Sequence, residues 1–539
     1  MAMGWYIIKL MKKQPNADYD YYVVPKIRNL KELTELRRNS KKTAIMWREN
    51  GKLVRKSFDD VFNDARDLSK YFGQYYKGKN IAVVGENSYA WMLCALAIAM
   101  SGNVCVALDK DADEETWRRQ LKQADAAAVY YSENYCESIS RLMRKSFPLE
   151  EWENYRKEGR RCAALKKAID AEADAMIFFT SGTTGYSKAV VLSQKNIVSD
   201  LWAAGSIYTP AGSAASFLPY HHAFGFVTSL LMPYYYGCQV FISGSLKHLT
   251  DDFRDGKPDT IFAVPMVVET FYKQIWRQAR REGRERTLKW ALRISEATLK
   301  IGVDVRAKLF KSILAEFGGN CQHIICGGAY LDVKYAKWFR AIGIEVLNGY
   351  GITECSPVVA VNRNNYRRDG SVGQLCRETE VRIVNGEITV KGEMVMKGYY
   401  RDKRATKEVL RNGWLYTGDL GRMDEDGFLF ITGRKKNLII LSNGENVSPE
   451  EIEGVLLRDR GVTEVVVYEA NNRIVAAIYP SEGYLGDQDY FDALIGEYNK
   501  DKPKNRQIAL AELRSQALPR NNNGKILRNK IIEESQNEG

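Results

Sequence analysis

The chain has 539 residues, 45% apolar and 27% charged, and a formal net charge of +12 at pH 7. That length exceeds one ordinary core, so two or more domains are expected, and the composition is that of a soluble globular protein. No apolar run approaches the ~20 residues that span a bilayer; nine scattered cysteines without a C-x-x-C pair, and only four histidines, argue against a disulfide framework or a zinc site.

The positive charge suits anionic partners such as nucleotides, acidic carriers or membrane surfaces, and does not choose among them. Nothing points to nucleic acid. The N-terminal residues 1–9 carry a short apolar patch but lack the ordered regions of a secretory signal, so a cytoplasmic location is expected.

In chain order, residues 80–85 read as a strand, 88–101 as a helix and 103–108 as a second strand, a βαβ unit. The apolar stretch 90–100 has the length of a buried helix. Similar alternation recurs at 127–131, 175–179, 216–219, 240–242, 260–264, 323–326 and 345–347, with helical patterns between most of these strands. The fold class is therefore α/β, a large domain with substantially parallel sheets.

Directly behind the strand at 175–179 comes Thr180-Ser181-Gly182-Thr183-Thr184-Gly185-Tyr-Ser187-Lys188. Glycines let backbone approach an anion, consecutive N–H groups can form a nest, hydroxyls can donate, and Lys188 adds charge. These are the parts of a polyphosphate-binding loop. It is not a Walker A loop, since Gly182 and Gly185 are too close and Lys188 does not follow a glycine. On composition alone a plain surface turn is an equal reading.

Residues 276–311 carry eleven Lys or Arg against four acids, with Leu288, Ala291, Leu292, Ser295 and Leu299 on one helical face. Basic helical faces are common, so a solvated amphipathic helix is preferred to a membrane-docking one.

After a strand, Asn348-Gly349-Tyr350-Gly351-Ile-Thr353-Glu354 offers an amide, an aromatic face, a hydroxyl and a carboxylate within seven residues. From about 371 the texture becomes short strands and turns, with Asn385-Gly386 as a hairpin signal. Trp414-Leu-Tyr-Thr417-Gly418-Asp419 presents a carboxylate in a glycine turn, suited to ribose hydroxyls. Past Gly433 the chain restarts with strand, helix and strand patterns. Ser448, Pro449 and Glu451 read as a capping box on the first of those helices. Taken singly, Tyr350 reads as core, Glu354 as a helix cap, Asp419 as a turn residue and Lys525 as a solvated lysine.

Their order and spacing carry more. With Thr432-Gly433-Arg434-Lys435-Lys436-Asn437 and Leu518-Pro-Arg520-Asn-Asn-Asn-Gly524-Lys525, five ordered motifs span the chain. In these it resembles the adenylate-forming superfamily of acyl-CoA synthetases, peptide-synthetase adenylation domains and luciferases. The wording of 349–357, 396–400 and 441–451 is most similar to the long-chain fatty acyl-CoA synthetases.

The resemblance implies a large N-terminal domain, 1–433, of α/β subdomains with a small β subdomain at about 371–433, and a smaller mobile α+β domain, 434–539. It implies two half-reactions. A carboxylate, here a fatty acid, and ATP give an acyl-adenylate and pyrophosphate; a thiol, that of coenzyme A, then takes the acyl group and releases AMP. Because the nucleophile is already ionised, no general base is needed, and the site must chiefly neutralise and align two anions.

By the same resemblance, Thr180, Ser181, Gly182, Thr183, Thr184, Gly185 and Lys188 form the loop over the β- and γ-phosphates, with Thr184 among the catalytic groups. Thr353 contacts phosphate, and Glu354 holds Mg²⁺, which bridges phosphate oxygens as a Lewis acid. Tyr350, flanked by Gly349 and Gly351, stacks on adenine, and Asn348 with the backbone of Gly327, Gly328 and Ala329 reads its edge. Asp419 and Arg434 hold ribose. Lys525 is expected to be the principal catalytic residue of adenylation, with Glu354 and His222 also among the catalytic groups. His222 matches an H-x-x-G segment whose residues line or gate the acyl pocket, a structural histidine pair being a nearly equal reading, and Phe224, Phe226 and Tyr220 make either an apolar wall there or plain core. Lys436 is the hinge about which the C-terminal domain turns between half-reactions, and Gly444 approaches the pantetheine arm.

Ala189, Tyr330 and Asn523 replace a glycine, a proline and a threonine usual in the family, departures that bear on substrate and geometry more than on reaction type. Two rivals share the first half-reaction: a ligase that loads an acyl-carrier protein, which an acidic carrier and this basic chain would favour, and one that acylates an amine. A non-catalytic nucleotide- or acyl-binding protein is the third, and Lys188, Glu354 and Lys525 argue against it.

Overall fold

The computed structural model describes residues 9–10, 21–165, 168–180, 187–440, 446–471, 473–520 and 526–538. By its contacts the chain divides into two compact units. One contains 1–381, 390–415 and 425–428; the other contains 382–389, 416–424 and 429–539.

The first unit is built on two sheets. In the seven-stranded one, Val104–Ala107, Asn80–Val84, Ala126–Tyr131 and Ser146–Pro148 run parallel beside Asp174–Thr180. Lys188–Ser193 returns antiparallel and is edged by Gly398–Tyr399. Every residue of Asn80–Val84 is buried, which is why it reads as a continuous apolar run with no alternation.

Helix Tyr89–Met100 is buried on nearly every side. Ser88 caps it by accepting from the Trp91 N–H. Its Trp91 packs on the rings of Tyr220 and Phe226, which belong to the segment following the strand Ser213–Ser216 of the second sheet. That nine-stranded sheet has a parallel centre, Glu345–Gly351, His323–Cys326, Thr260–Ala263, Ser213–Ser216, Gln239–Ile242 and Thr43–Glu49, with antiparallel strands at both edges. The α/β class with largely parallel sheets is as expected.

Several local expectations need correction. The strand expected at 216–219 occupies Ser213–Ser216. The Asn87 amide takes over the next backbone groups, donating to the Leu218 carbonyl at 2.8 Å and accepting from the Tyr220 N–H at 3.1 Å. The strand expected to end at 347 runs on to Gly351, because Gly349 to Gly351 pair with Val358 to Val361. The basic region 276–311 is not one helix. Helix Pro265–Arg281 ends, Gly283 turns at φ +68°, and Glu285–Lys300 begins afresh, followed by two short helices.

In the second unit, Val462–Ala470 and Arg473–Pro480 pair antiparallel, and Ile508–Leu513 joins parallel. Strand alternation sends Val465 and Val467 to a core with Ile452, Leu456, Phe491 and Ile495. Val466 and Tyr468 go to a second cluster with Leu518 and Ile531. The Asn385-Gly386 turn joins Glu380–Val384 to Glu387–Lys391 with both turn residues at positive φ, 51° and 81°, as the hairpin signal requires. The contacts place 382–389, 416–424 and 429–433 with the C-terminal residues. Ser448 does stand before helix Pro449–Leu456 with Pro449 first, but no capping box forms. Its hydroxyl donates to the Thr432 carbonyl at 2.7 Å and to Glu450 Oε2 at 3.1 Å.

Candidate active site

Strands Asp174–Thr180 and Lys188–Ser193 form a hairpin whose register sets Lys188 opposite Thr180. Ser181, Gly182, Thr183, Thr184 and Gly185 lie between them, outside the described residues. The neighbouring strand pairs Tyr399 with Val190 and so brings its side chain beneath the hairpin mouth. The Lys188 ammonium stands 4.8 Å from the centre of the Tyr399 ring. The Tyr399 hydroxyl donates to Glu354 Oε1 at 2.9 Å, and the Met396 N–H fixes the Glu354 carbonyl at 2.8 Å. Burial, and then the Glu354 carboxylate, push the Tyr399 phenol well above its ordinary pKa, so it remains a donor.

Glu354 and Lys188, far apart in sequence, are thus joined through one aromatic side chain. Sequence reasoning named both and missed Tyr399. The residue stood in the 396–400 run that helped identify the resemblance, but nothing in the run says which neighbour its hydroxyl meets.

Asn348 to Gly351 lie within a strand, not in a loop after one. A Cβ on Gly351 would stand 2.2 Å from the Pro357 carbonyl oxygen, which accepts from the Ile352 N–H at 2.9 Å. Only glycine fits that approach. The Asn348 carbonyl accepts from the backbone and side-chain amides of Asn362, while its side-chain Oδ1 is buried and has no hydrogen-bond partner among the described residues. That is an acceptor awaiting a donor of the kind an amino-purine presents. Tyr350 is 9% exposed. Gly327, Gly328 and Ala329 follow the parallel strand His323–Cys326; the last two are exposed, and the Phe224 ring abuts Gly327.

His222 follows Pro219-Tyr-His221, and its N–H donates to the Pro219 carbonyl at 3.1 Å. A Cβ on Gly225 would come 2.1 Å from that same oxygen, so the turn demands glycine there. His221 is buried, its ring 4.3 Å from that of His222 and its Nε2 3.2 Å from Asp109 Oδ1. Burial, then the neighbouring His222 and Lys110, hold His221 well below the usual imidazole pKa. Tyr220 and Phe226 are plain core, at 1% and 0% exposure, whereas Phe224 is half-buried beside Gly327.

Asn87, Asp109, His221, Gly327 and Glu354 all lie just past the carboxyl ends of parallel strands, where open α/β sheets bind ligands.

In the second unit, Asp419 stands in the strand Trp414–Met423, not in a free turn. It faces Arg434 across the ladder, with Nε to Oδ1 at 2.8 Å. Asp419 is 2% exposed. Glu387 was missed: its buried carboxylate accepts from the Gly418 N–H at 3.0 Å and pairs with Lys435 at 2.8 Å, holding the segments on either side of the Asp419–Arg434 pair. Burial and then the adjacent Arg434 lower the pKa of Lys436. Asn437 donates to Glu450 Oε1 at 2.6 Å, tying the same stretch to helix Pro449–Leu456. Gly444 and Lys525 lie outside the described residues. Just before Lys525, Arg520 pairs with Glu464 at 2.8 Å; just after it, Arg528 grips Glu453 with both guanidinium nitrogens.

Among the described residues no group of three or more His, Cys, Asp or Glu gathers to cage a metal. Glu354 and its chain neighbour Thr353 bring a carboxylate and a hydroxyl, hard oxygens that fit Mg²⁺, an ion that keeps waters and takes most of its remaining ligands from phosphates.

Comparison with known proteins gives the following. The family described as "AMP-binding enzyme" matches residues 34–400, and the family described as "AMP-binding enzyme C-terminal domain" matches 436–538. The chain is 29% identical over 427 residues to the long-chain-fatty-acid–CoA ligase FadD15 of Mycobacterium bovis, covering 72% of this chain and 71% of the relative. It is 31% identical over 377 residues to the long-chain-fatty-acid–[acyl-carrier-protein] ligase AEE15, chloroplastic, of Arabidopsis thaliana, covering 58% and 51%. Among solved structures it resembles the O-succinylbenzoate coenzyme A synthetase MenE from Bacillus subtilis in complex with ATP and magnesium ion, with TM-score 0.71, 22% identity and coverage of 93% and 98%.

Proposed function

The chain belongs to the AMP-binding enzyme family, and from that premise we propose that it is an ATP-dependent fatty acid–CoA ligase of the cytoplasm, forming an acyl-adenylate and then a thioester. The observation that supports this most is the Lys188–Tyr399–Glu354 cluster at the mouth of the hairpin. It gathers a cation and a carboxylate where a polyphosphate and its counter-ion need them.

In the first half-reaction a carboxylate oxygen attacks the α-phosphorus, the new carbon-side P–O bond forms, and the bond to pyrophosphate breaks. Lys188, with Thr180, Ser181, Gly182, Thr183, Thr184 and Gly185, neutralises the departing pyrophosphate. Thr353 and Glu354 would hold Mg²⁺, which supplies Lewis-acid neutralisation of the phosphates. Tyr399 orients Glu354. Asn348, Gly349, Tyr350, Gly351 and the backbone of 327–329 hold the adenine, and Asp419 with Arg434 the ribose. Lys525 stabilises the charge between carboxylate and α-phosphate.

In the second, the thiolate of coenzyme A attacks the acyl carbon and AMP leaves. We assign Lys436 as the hinge between the functional domains 1–433 and 434–539, Gly444 as the approach for the pantetheine arm and His222 as a wall of the acyl pocket. No disulfide joins any of the nine cysteines, all of which lie among the described residues, and this suits a reducing compartment.

The acceptor has one alternative with support of its own: an acyl-carrier protein, favoured by the +12 charge and by the AEE15 relative. The experiment is to supply ATP, Mg²⁺ and acids of graded length with coenzyme A and a carrier protein in competition, and to identify the products. AMP, pyrophosphate and an acyl-CoA are expected. ADP as the product, or acyl-carrier as the sole thioester, would overturn the reading or its acceptor respectively.

A further inference from the structure

The basic helix Glu285–Lys300 buries Leu288, Ala291 and Ser295, and Ser295 Oγ donates to the Ala341 carbonyl at 2.6 Å. That contact fixes which face looks outward. At helical spacing on it stand Arg286, Lys289, Trp290, Arg293 and Lys300, all exposed. Lys289 is paired with Glu285 at 2.8 Å, but Arg286, Arg293 and Lys300 pair with no carboxylate among the described residues.

Amid these cations the Trp290 side chain is 63% exposed, and Ile301 and Val303, directly after the helix, are 76% and 48% exposed. A merely solvated helix accounts for the charge. It gives no reason for an indole and two branched aliphatics to stand in water within fourteen residues of one another, since large apolar side chains are ordinarily buried.

We propose that this face docks the protein on the surface of a bilayer containing anionic phospholipid. The unpaired cations lie at the depth of the lipid phosphates, while Trp290, Ile301 and Val303 enter the interface, the layer where an indole with its apolar body and N–H is most at home. Charge complementarity selects the anionic lipid, and the exposed apolar side chains favour lipid over an acidic protein, for which cations alone would serve. This surface is independent of the residues assigned to catalysis.

The test is co-sedimentation of the full chain with vesicles of phosphatidylcholine alone and of phosphatidylcholine with phosphatidylserine, at low and high salt. Binding should require phosphatidylserine and fall with salt. R293E/K300E should lower partitioning by at least ~30-fold, and W290A should lower it several-fold while leaving the salt dependence, with circular dichroism and melting unchanged in both. Vesicle binding indifferent to these variants, or absent in the wild type, would overturn the proposal. So would loss of wild-type vesicle binding on adding an acidic carrier protein, provided carrier binding needs the same cations but not Trp290, because the face would then be a protein-docking one.

Discussion

Tyr399 holds a cation on its ring and a carboxylate on its hydroxyl, and so makes one site of two distant motifs. Removing only the hydroxyl, in Tyr399→Phe, leaves the ring under Lys188 and takes one hydrogen bond from the Glu354 carboxylate. On the Mg²⁺-holding role proposed for Glu354, and because partners of a ligating carboxylate typically contribute about 10–100-fold to metal affinity or activity, pyrophosphate exchange should fall about tenfold and need more Mg²⁺, with stability changed by no more than ~1 kcal/mol. A Mg²⁺ titration of the exchange rate checks it; an unshifted titration would remove Tyr399 from the site. His221 is a buried base held below its ordinary pKa, facing Asp109, Lys110 and His222. The unfolded imidazole titrates near 6.5 and the folded one lower, so the unfolded state binds the extra proton and stability is lost as pH falls below about 6.5. His221→Gln should therefore lose less stability than wild type between pH 7 and 5, read as melting temperature against pH. Neither residue could be placed from the sequence, where His221 is one of a pair and Tyr399 one of two adjacent tyrosines; which ring turns inward is a packing outcome.

Among the elements, helix Arg528–Glu538 is fixed at its first residue. Arg528 meets Glu453 on helix Pro449–Leu456, and Glu453 also accepts from the Val467 N–H at 2.6 Å. Burial raises the Glu453 pKa against the opposing pull of Arg528. Arg528→Met strands that carboxylate, a change of the class that costs about 3–5 kcal/mol. Since the buried acid's pKa rises further without its partner, the loss should be larger at pH 7 than at pH 5, where protonation relieves it. Denaturant unfolding at the two pH values measures this. Core strands and the helix 89–100 were legible because continuous apolar runs survive any context. The end of the strand at Ser216 was not, because the side chain of Asn87, 131 residues before Leu218, satisfies the backbone that follows it. Ser448 was legible as the residue before a helix, but its hydroxyl found the Thr432 carbonyl, a tertiary partner that no local pattern displays.

At the scale of the molecule, Lys188 and the described residues on either side of the lysine proposed for adenylation, Arg520 and Arg528, belong to different compact units. Lys525→Ala should cripple pyrophosphate exchange by a few orders of magnitude while ATP still binds, whereas Lys436→Ala should harm thioester formation more than adenylation. Full exchange in the first variant, or equal loss of both half-reactions in the second, would remove those roles. The sequence by itself determined the α/β class, the two-part organisation and the family, because buried-strand runs, glycine turns and the order of five motifs are local properties that need no partner to be read. Only the tertiary structure decided that Glu354 and Lys188 meet through Tyr399, that Asp419 lies opposite Arg434 on a strand flanked by Glu387, and that Trp290 faces outward. Those facts depend on register, strand pairing and burial, which are set by contacts between residues tens or hundreds of positions apart.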